Sequence, residues 1–272
     1  MGRRTTDVTG LADGPATVPA LLLRGTSGTP ACGRGGGATH CDTHGVGGLG
    51  ARLAAPTMSR VEARTSARGD WAFLAFAAVF FVFHQFPSVL FTDRVEAAVD
   101  VLTPFAVAAS TVAVMLALGA SRGPVLAAVA AGVLYVHGHG VHLAANSIHN
   151  EGIEDQVVYF WDERFSHIEA VLGWFGLVAV FCLAERVSPR SATTSPTLLG
   201  LAALLLGWTF FTSTVEGQTW WLELPAAALF GVWALRAPRP LLRAAAGAFA
   251  VGAVLIAIWA IWHGGVPEFS DL

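Results

Sequence analysis

The chain contains no lysine; all 16 of its basic residues are arginine, set against 19 acids for a net charge of -3. No basic stripe exists, so a nucleic-acid partner is excluded. The lysine gap itself reads as base bias of the coding sequence. Charge of either sign is scarce, at 13% of residues, where a soluble domain carries about 25%. Cysteine is scarce too. Cys182 lies inside an apolar run and reads as a packed thiol, and Cys32 and Cys41 stand near the amino terminus, so three cysteines make no disulfide framework. There is no Cys-x-x-Cys-His for covalent haem, no desaturase-type set of histidine boxes and no rhomboid-type Gly-x-Ser within an apolar span, the two such triplets being Gly25-Thr-Ser27 and Gly119-Ala-Ser121. The last apolar segment ends in a single His263, without the His-x-x-x-His pair that seven-span zinc hydrolases carry there.

What the chain has instead is apolar length. Hydrophobic residues make up 54% of its 272 positions, and mean hydropathy is +0.59. Apolar runs of about 20 residues recur, the length that crosses a bilayer as a helix. The expected fold is therefore all-α: a polytopic integral membrane bundle of about seven transmembrane helices. The spans read as 71–91, 97–119, 123–146, 163–185, 197–213, 219–236 and 241–263, the fifth being the shortest. Only helices or closed barrels satisfy backbone groups in lipid, and runs this long are helices.

Residues 1–57 are different. Gly, Thr, Ala and Arg dominate them without periodicity, a composition that buries too little apolar surface to order itself. They read as a disordered extension or as upstream sequence translated from a mis-assigned start, with Met58 opening a plausible beginning. Cys32, His40, Cys41 and His44 match no standard zinc-finger spacing. Residues 58–70 read as a cytoplasmic juxtamembrane segment, 71–263 as the membrane domain and 264–272 as a short extracytoplasmic tail.

Arginine sets the direction. Arg60, Arg64, Arg68, Arg122, Arg186, Arg190, Arg236, Arg239 and Arg243 flank one side of the spans; only Arg94 and Arg164 flank the other. By the positive-inside rule the amino terminus is cytoplasmic, the carboxyl terminus is outside, and the protein sits in the cell membrane. Trp161, Trp208, Trp220, Trp221, Trp259 and Trp262 then gather at the outer interface as an aromatic belt.

On that map the polar residues are one-sided. His84 and Gln85 fall in the outer half of span one, and Asp100 opens span two. His137, His139, His142 and His149 close span three; Asp162, Glu163, His167 and Glu169 begin span four. Glu216, Glu223 and His263 also fall on this side, whether as members of a site or as ordinary interfacial groups. The inner halves, such as Val125–Leu134 and Gly173–Leu183, carry no charge. Ionisable groups in a bilayer are costly and are functional candidates by default.

At about 100° per residue, His139, His142, Asn146 and His149 share one narrow face of span three, and His137 points away. Gly138 and Gly140 between them would admit a neighbouring helix or a ligand. In span four, Glu163 and His167 are spaced i and i+4, with Asp162 and Ser166 nearby. Histidines mixed with carboxylates favour zinc first and iron second. The expected metal ligands are His139, His142, His167 and His84, with Glu163, Asp162 and Ser166 as catalytic or orienting groups. The sequence thus points to a metal-dependent, hydrolase-like membrane enzyme acting on a membrane lipid or small amphiphile. A noncovalent haem or quinone redox protein, with two of these histidines as axial ligands, is the first alternative. A proton-linked transporter is the second.

Overall fold

The structure is a computed structural model that describes residues 55–86, 93–153, 155–187, 194–269 and 272. Cys32, His40, Cys41 and His44 lie outside the described residues, and so does the side chain of His149. Among the described residues every regular element is helical: α1 (Ala55–Gln85), α2 (Asp93–Ala117), α3 (Arg122–Asn150), α4 (Gln156–Tyr159), α5 (His167–Val187), α6 (Pro196–Glu216), α7 (Trp220–Arg236) and α8 (Pro240–His263). A π-helical stretch, Phe160–Ser166, joins α4 to α5 without a break. Six of the resulting helical spans are long and apolar enough to cross a bilayer. The protein is a multi-pass helical membrane bundle. The segment before span one is itself helical and continuous with α1.

The seventh candidate is α7, with 17 residues. At about 1.5 Å per residue it covers about 26 Å, just under a bilayer core. The short member is therefore this sixth span, with Pro225 inside it, and not the fifth, which runs 21 residues as α6.

Packing pairs α3 with α5, α6 with α8, α1 with both α2 and α6, and α7 with α8. Apolar patterning around a full helix turn gives each inner helix a buried face on more than one neighbour. An aromatic ladder fills the centre. Phe76 meets Phe181 edge-on, Phe80 meets Trp174, and Phe210, Phe249 and Phe230 stack in sequence with centroids 4.7 and 4.3 Å apart. Many of the phenylalanines in the spans are thus core rather than lipid contact.

One-sided polarity holds with two exceptions. Asp70 and Glu185 are fully buried at the opposite end of the bundle. Asp70 accepts a hydrogen bond from the Ser195 amide at 2.8 Å, where α6 begins. Glu185 accepts from the Leu241 amide at 3.2 and 3.1 Å, where α8 begins. Arg239, the residue before α8, offers no side-chain cap, so a carboxylate from α5 supplies it. Negative charge at a helix start is favoured by the exposed amides and the helix dipole. Glu185→Ala strands that amide in an apolar interior and is expected to cost about 2–3 kcal/mol. Thermal unfolding in detergent should show it, with Glu185→Gln, which keeps an acceptor, falling between; equal midpoints for all three would refute the capping role.

Candidate functional site

A cavity of about 970 Å³ opens at one end of the bundle. Its wall takes residues from the late part of α1, α3, α6 and α8 and from the early part of α2 and α5. In an up-and-down bundle these are the same end. His84, His139, His142 and His167 all line it, so the histidines expected from three separate spans do converge.

Three of the imidazoles are anchored by a hydrogen bond through one nitrogen, and His142 stands against a carboxylate. His84 Nδ1 donates to the Phe80 carbonyl at 2.8 Å, and His167 Nδ1 donates to the Glu163 carbonyl at 3.0 Å. His142 Nδ1 lies 2.8 Å from Asp162 Oδ1, off the best hydrogen-bond direction. His139 is held by its other nitrogen, with Nε2 donating to the Asp100 carbonyl at 3.0 Å. A carbonyl or carboxylate oxygen can only accept, so the anchored nitrogen carries the proton and the opposite nitrogen keeps a lone pair. That is how histidines are prepared for a metal or for acid–base work.

The four are not equivalent. His84 Nε2 already accepts a hydrogen bond from the Tyr135 hydroxyl at 3.2 Å. Tyr135 is buried and stacks on His139 with centroids 5.9 Å apart. His142 and His167 face each other across α3 and α5 with ring centroids 4.7 Å apart. The wall therefore divides into a His84–Tyr135–His139 side and a His142–His167 side. Among the described residues no three His, Cys, Asp or Glu side chains stand close enough to share one metal ion as they are placed.

The π-helical stretch explains the acids. A π turn displaces side chains relative to an α-helix and recurs at functional sites. Here it buries Asp162 at 3% exposure behind His142. Glu163 is half-buried, its Oε2 3.7 Å from His167 Nδ1. Ser166 is fully buried and donates its hydroxyl to the Asp162 carbonyl. None of these three lines the cavity, so Asp162 and Glu163 stand behind histidines and Ser166 is in the helix packing. The carboxylates on the wall are Asp100 and Glu216.

Other expectations resolve residue by residue. His137 points away from the cavity and pairs with Glu169 at 2.6 Å. His263 is exposed beside Trp259 and lines nothing. Glu223 is buried elsewhere, between α7 and α8. Of the tryptophan belt, Trp208 and Trp259 line the cavity. Gln85 ties α1 to α6, donating to Thr212 at 2.8 Å and accepting from Trp208 at 3.2 Å. Tyr135 and Trp174 went unassigned in the sequence. Tyr135 precedes His139 by four residues, one helical turn, so its place on the histidine face was available from spacing alone. Trp174 lines the wall with an indole N–H that has no partner among the described residues.

The carboxyl-terminal segment folds back across the mouth. Gly264 turns the chain in a left-handed conformation at φ 70°. Gln218 then donates to the Val266 carbonyl, Trp259 to the Pro267 carbonyl, and the Phe269 amide to Glu216 Oε2 at 2.8 Å. Phe269 packs on Trp259 and closes that side. Comparison with protein-family models, curated proteins and solved structures returns no match for the chain.

Proposed function

We propose that the protein is a metal-dependent membrane enzyme, hydrolase-like, whose cavity accepts a lipid or small amphiphile. One observation supports this most. Four imidazoles line a single cavity, three fixed by a carbonyl acceptor that leaves the other ring nitrogen its lone pair, and His142 standing against the Asp162 carboxylate. His142 and His167 are the metal pair, because among the described residues no hydrogen bond engages their Nε2 atoms and their rings stand together. Asp100 or Glu216, the wall carboxylates, would complete the ligand set by moving toward that pair. Zinc, or iron as second choice, would supply Lewis-acid activation of water at neutral pH.

The chain's own groups do the rest. Asp162 and the Glu163 carbonyl hold the two imidazoles in one tautomer and one orientation. The Tyr135 hydroxyl gives its one proton to His84 Nε2, so its oxygen is free to accept a hydrogen bond from a substrate hydroxyl or a water. The unpaired Trp174 N–H offers a hydrogen bond to a substrate carbonyl or phosphoryl oxygen. Trp208, Phe211, Trp259 and Phe269 give the cavity an apolar side that suits an acyl or alkyl chain. Rings 4.7 Å apart leave no gap for a porphyrin between His142 and His167, which weighs against that pair as haem ligands. The arginine distribution supports a cell-membrane protein with a cytoplasmic amino terminus, so that the cavity faces the extracytoplasmic side.

The test is elemental analysis and an optical spectrum of the full-length protein purified in detergent. The expected result is about one zinc or iron per chain and no Soret band. A Soret band would replace this reading with the haem one. Protein that carries no zinc or iron, and takes up neither on dialysis, would end the metal reading.

A further inference from the structure

Outside the cavity, α7 buries a carboxyl group that nothing answers. Glu223 is 0% exposed, and neither of its oxygens has a hydrogen-bond partner among the described residues. Thr219, the cap residue four positions earlier at the start of α7, is equally buried, and its hydroxyl also has no partner among the described residues. Three orphaned oxygens thus lie at the start of α7, one on its cap and two on its fourth residue. The backbone of α8 comes up against the Glu223 carboxyl at Gly252, where a Cβ would fall 2.5 Å from Glu223 Oε1 and 3.4 Å from the Gly207 carbonyl of α6. The absence of a side chain at Gly252 is what leaves the carboxyl its room.

Among the described residues of the helices packed on it, no basic group is placed to neutralise it. The helices packed on α7 are α8 and, less closely, α6. On α8 the titratable or charged groups are Arg243 and His263, both exposed, and about 13 and 16 Å along the helix from Gly252. On α6 there is only Glu216, committed to the Phe269 amide. Arg236, on α7 itself, is about 20 Å along the axis from Glu223. A buried carboxylate without a counter-charge is too costly to stand alone, whereas a carboxyl group that has taken up a cation is not.

We propose that Glu223 and Thr219 form a second site, separate from the histidine cavity, that takes a monovalent cation: a proton or Na+. The carboxylate supplies the charge, and the Thr219 hydroxyl supplies a second oxygen from the cap of the same helix.

Dicyclohexylcarbodiimide tests this on the full-length protein in detergent. The reagent adds to a protonated carboxyl in an apolar setting. The carboxyl oxygen bonds to the carbodiimide carbon, the proton passes to nitrogen, and acyl migration leaves an N-acylurea containing the whole reagent. The expected result is an adduct on the Glu223 peptide that is lost in Glu223→Gln. Labelling that falls as pH rises and ignores Na+ identifies a proton site. Labelling suppressed by NaCl but not by choline chloride identifies a Na+ site. Thr219→Val should shift the half-point for pH or Na+ by about fivefold in concentration, one hydrogen bond's worth. Absence of the adduct at every pH and salt, with the same glutamate labelled after denaturation, overturns the proposal. An unmoved half-point in a folded Thr219→Val protein removes Thr219 from the site.

Discussion

His142→Ala and His167→Ala are each expected to lower zinc affinity by at least ~100-fold, with His137→Ala leaving it unchanged. The size follows from the geometry. The two rings face each other at 4.7 Å from different helices, so removing either leaves one imidazole, which cannot hold an ion in competition with water. His137 carries the same chemistry in the same helix but points away, paired with Glu169 at 2.6 Å. It therefore controls for loss of a histidine as such. Asp162→Asn separates orientation from ligation. It keeps the shape behind His142 but replaces the carboxylate 2.8 Å from Nδ1 with an amide. A loss of ~10–100-fold is expected, the usual cost of a disturbed partner behind a ligand. Equilibrium dialysis with zinc measures all four variants, and a thermal scan shows that each remains folded. If His137→Ala loses as much zinc as His142→Ala, the binding is on the surface and the cavity is not the site.

Most of the architecture was legible in the sequence because a bilayer imposes simple rules. A helix must be apolar for about 20 residues, and six of the seven expected spans meet that standard in the structure. The face shared by His139 and His142 followed from helical spacing. Their convergence with His84 and His167 depended on facing between helices, which no periodicity encodes. The roles of Asp162 and Ser166 were hidden for a local reason. An α-helical count through Phe160–Ser166 gives the wrong rotation, since the stretch winds as a π-helix. Glu185 was hidden for the opposite reason: nothing local to it shows that its carboxylate takes an amide 56 residues later, at the start of another helix. Tyr135 stands one turn before His139, but an aromatic in a span usually faces lipid or core, so that spacing is the one signal that places it.

Gly173→Ala is expected to destabilise the bundle by ~3 kcal/mol or more, lowering the thermal midpoint by ~6–12 °C. A Cβ at Gly173 would lie 2.4 Å from the Tyr135 amide nitrogen and 2.6 Å from its Cα. Both are backbone atoms, so no rotamer change relieves the overlap, and α3 itself must move away from α5. The reverse contact blocks a local escape: a Cβ at Gly138 would lie 2.5 Å from the Ala170 amide and 2.7 Å from the Ser166 carbonyl. The two helices interlock through these glycines, the close approach small residues permit in membranes. Gly140 is the matched control. It lies two residues from Gly138, yet a Cβ there meets nothing within 4 Å. Gly140→Ala should leave the midpoint unchanged or raise it slightly, by the ~0.5–1 kcal/mol that alanine gains over glycine in a helix. The seam also sets the site, because α3 carries His139 and His142 while α5 carries His167. Separating the helices enough to admit one methyl group would widen the His142–His167 gap, so Gly173→Ala should weaken zinc binding even in the folded fraction. Equal midpoints for Gly173→Ala and Gly140→Ala would mean that α3 and α5 do not pack at this distance, and the histidine pairing would fall with the seam.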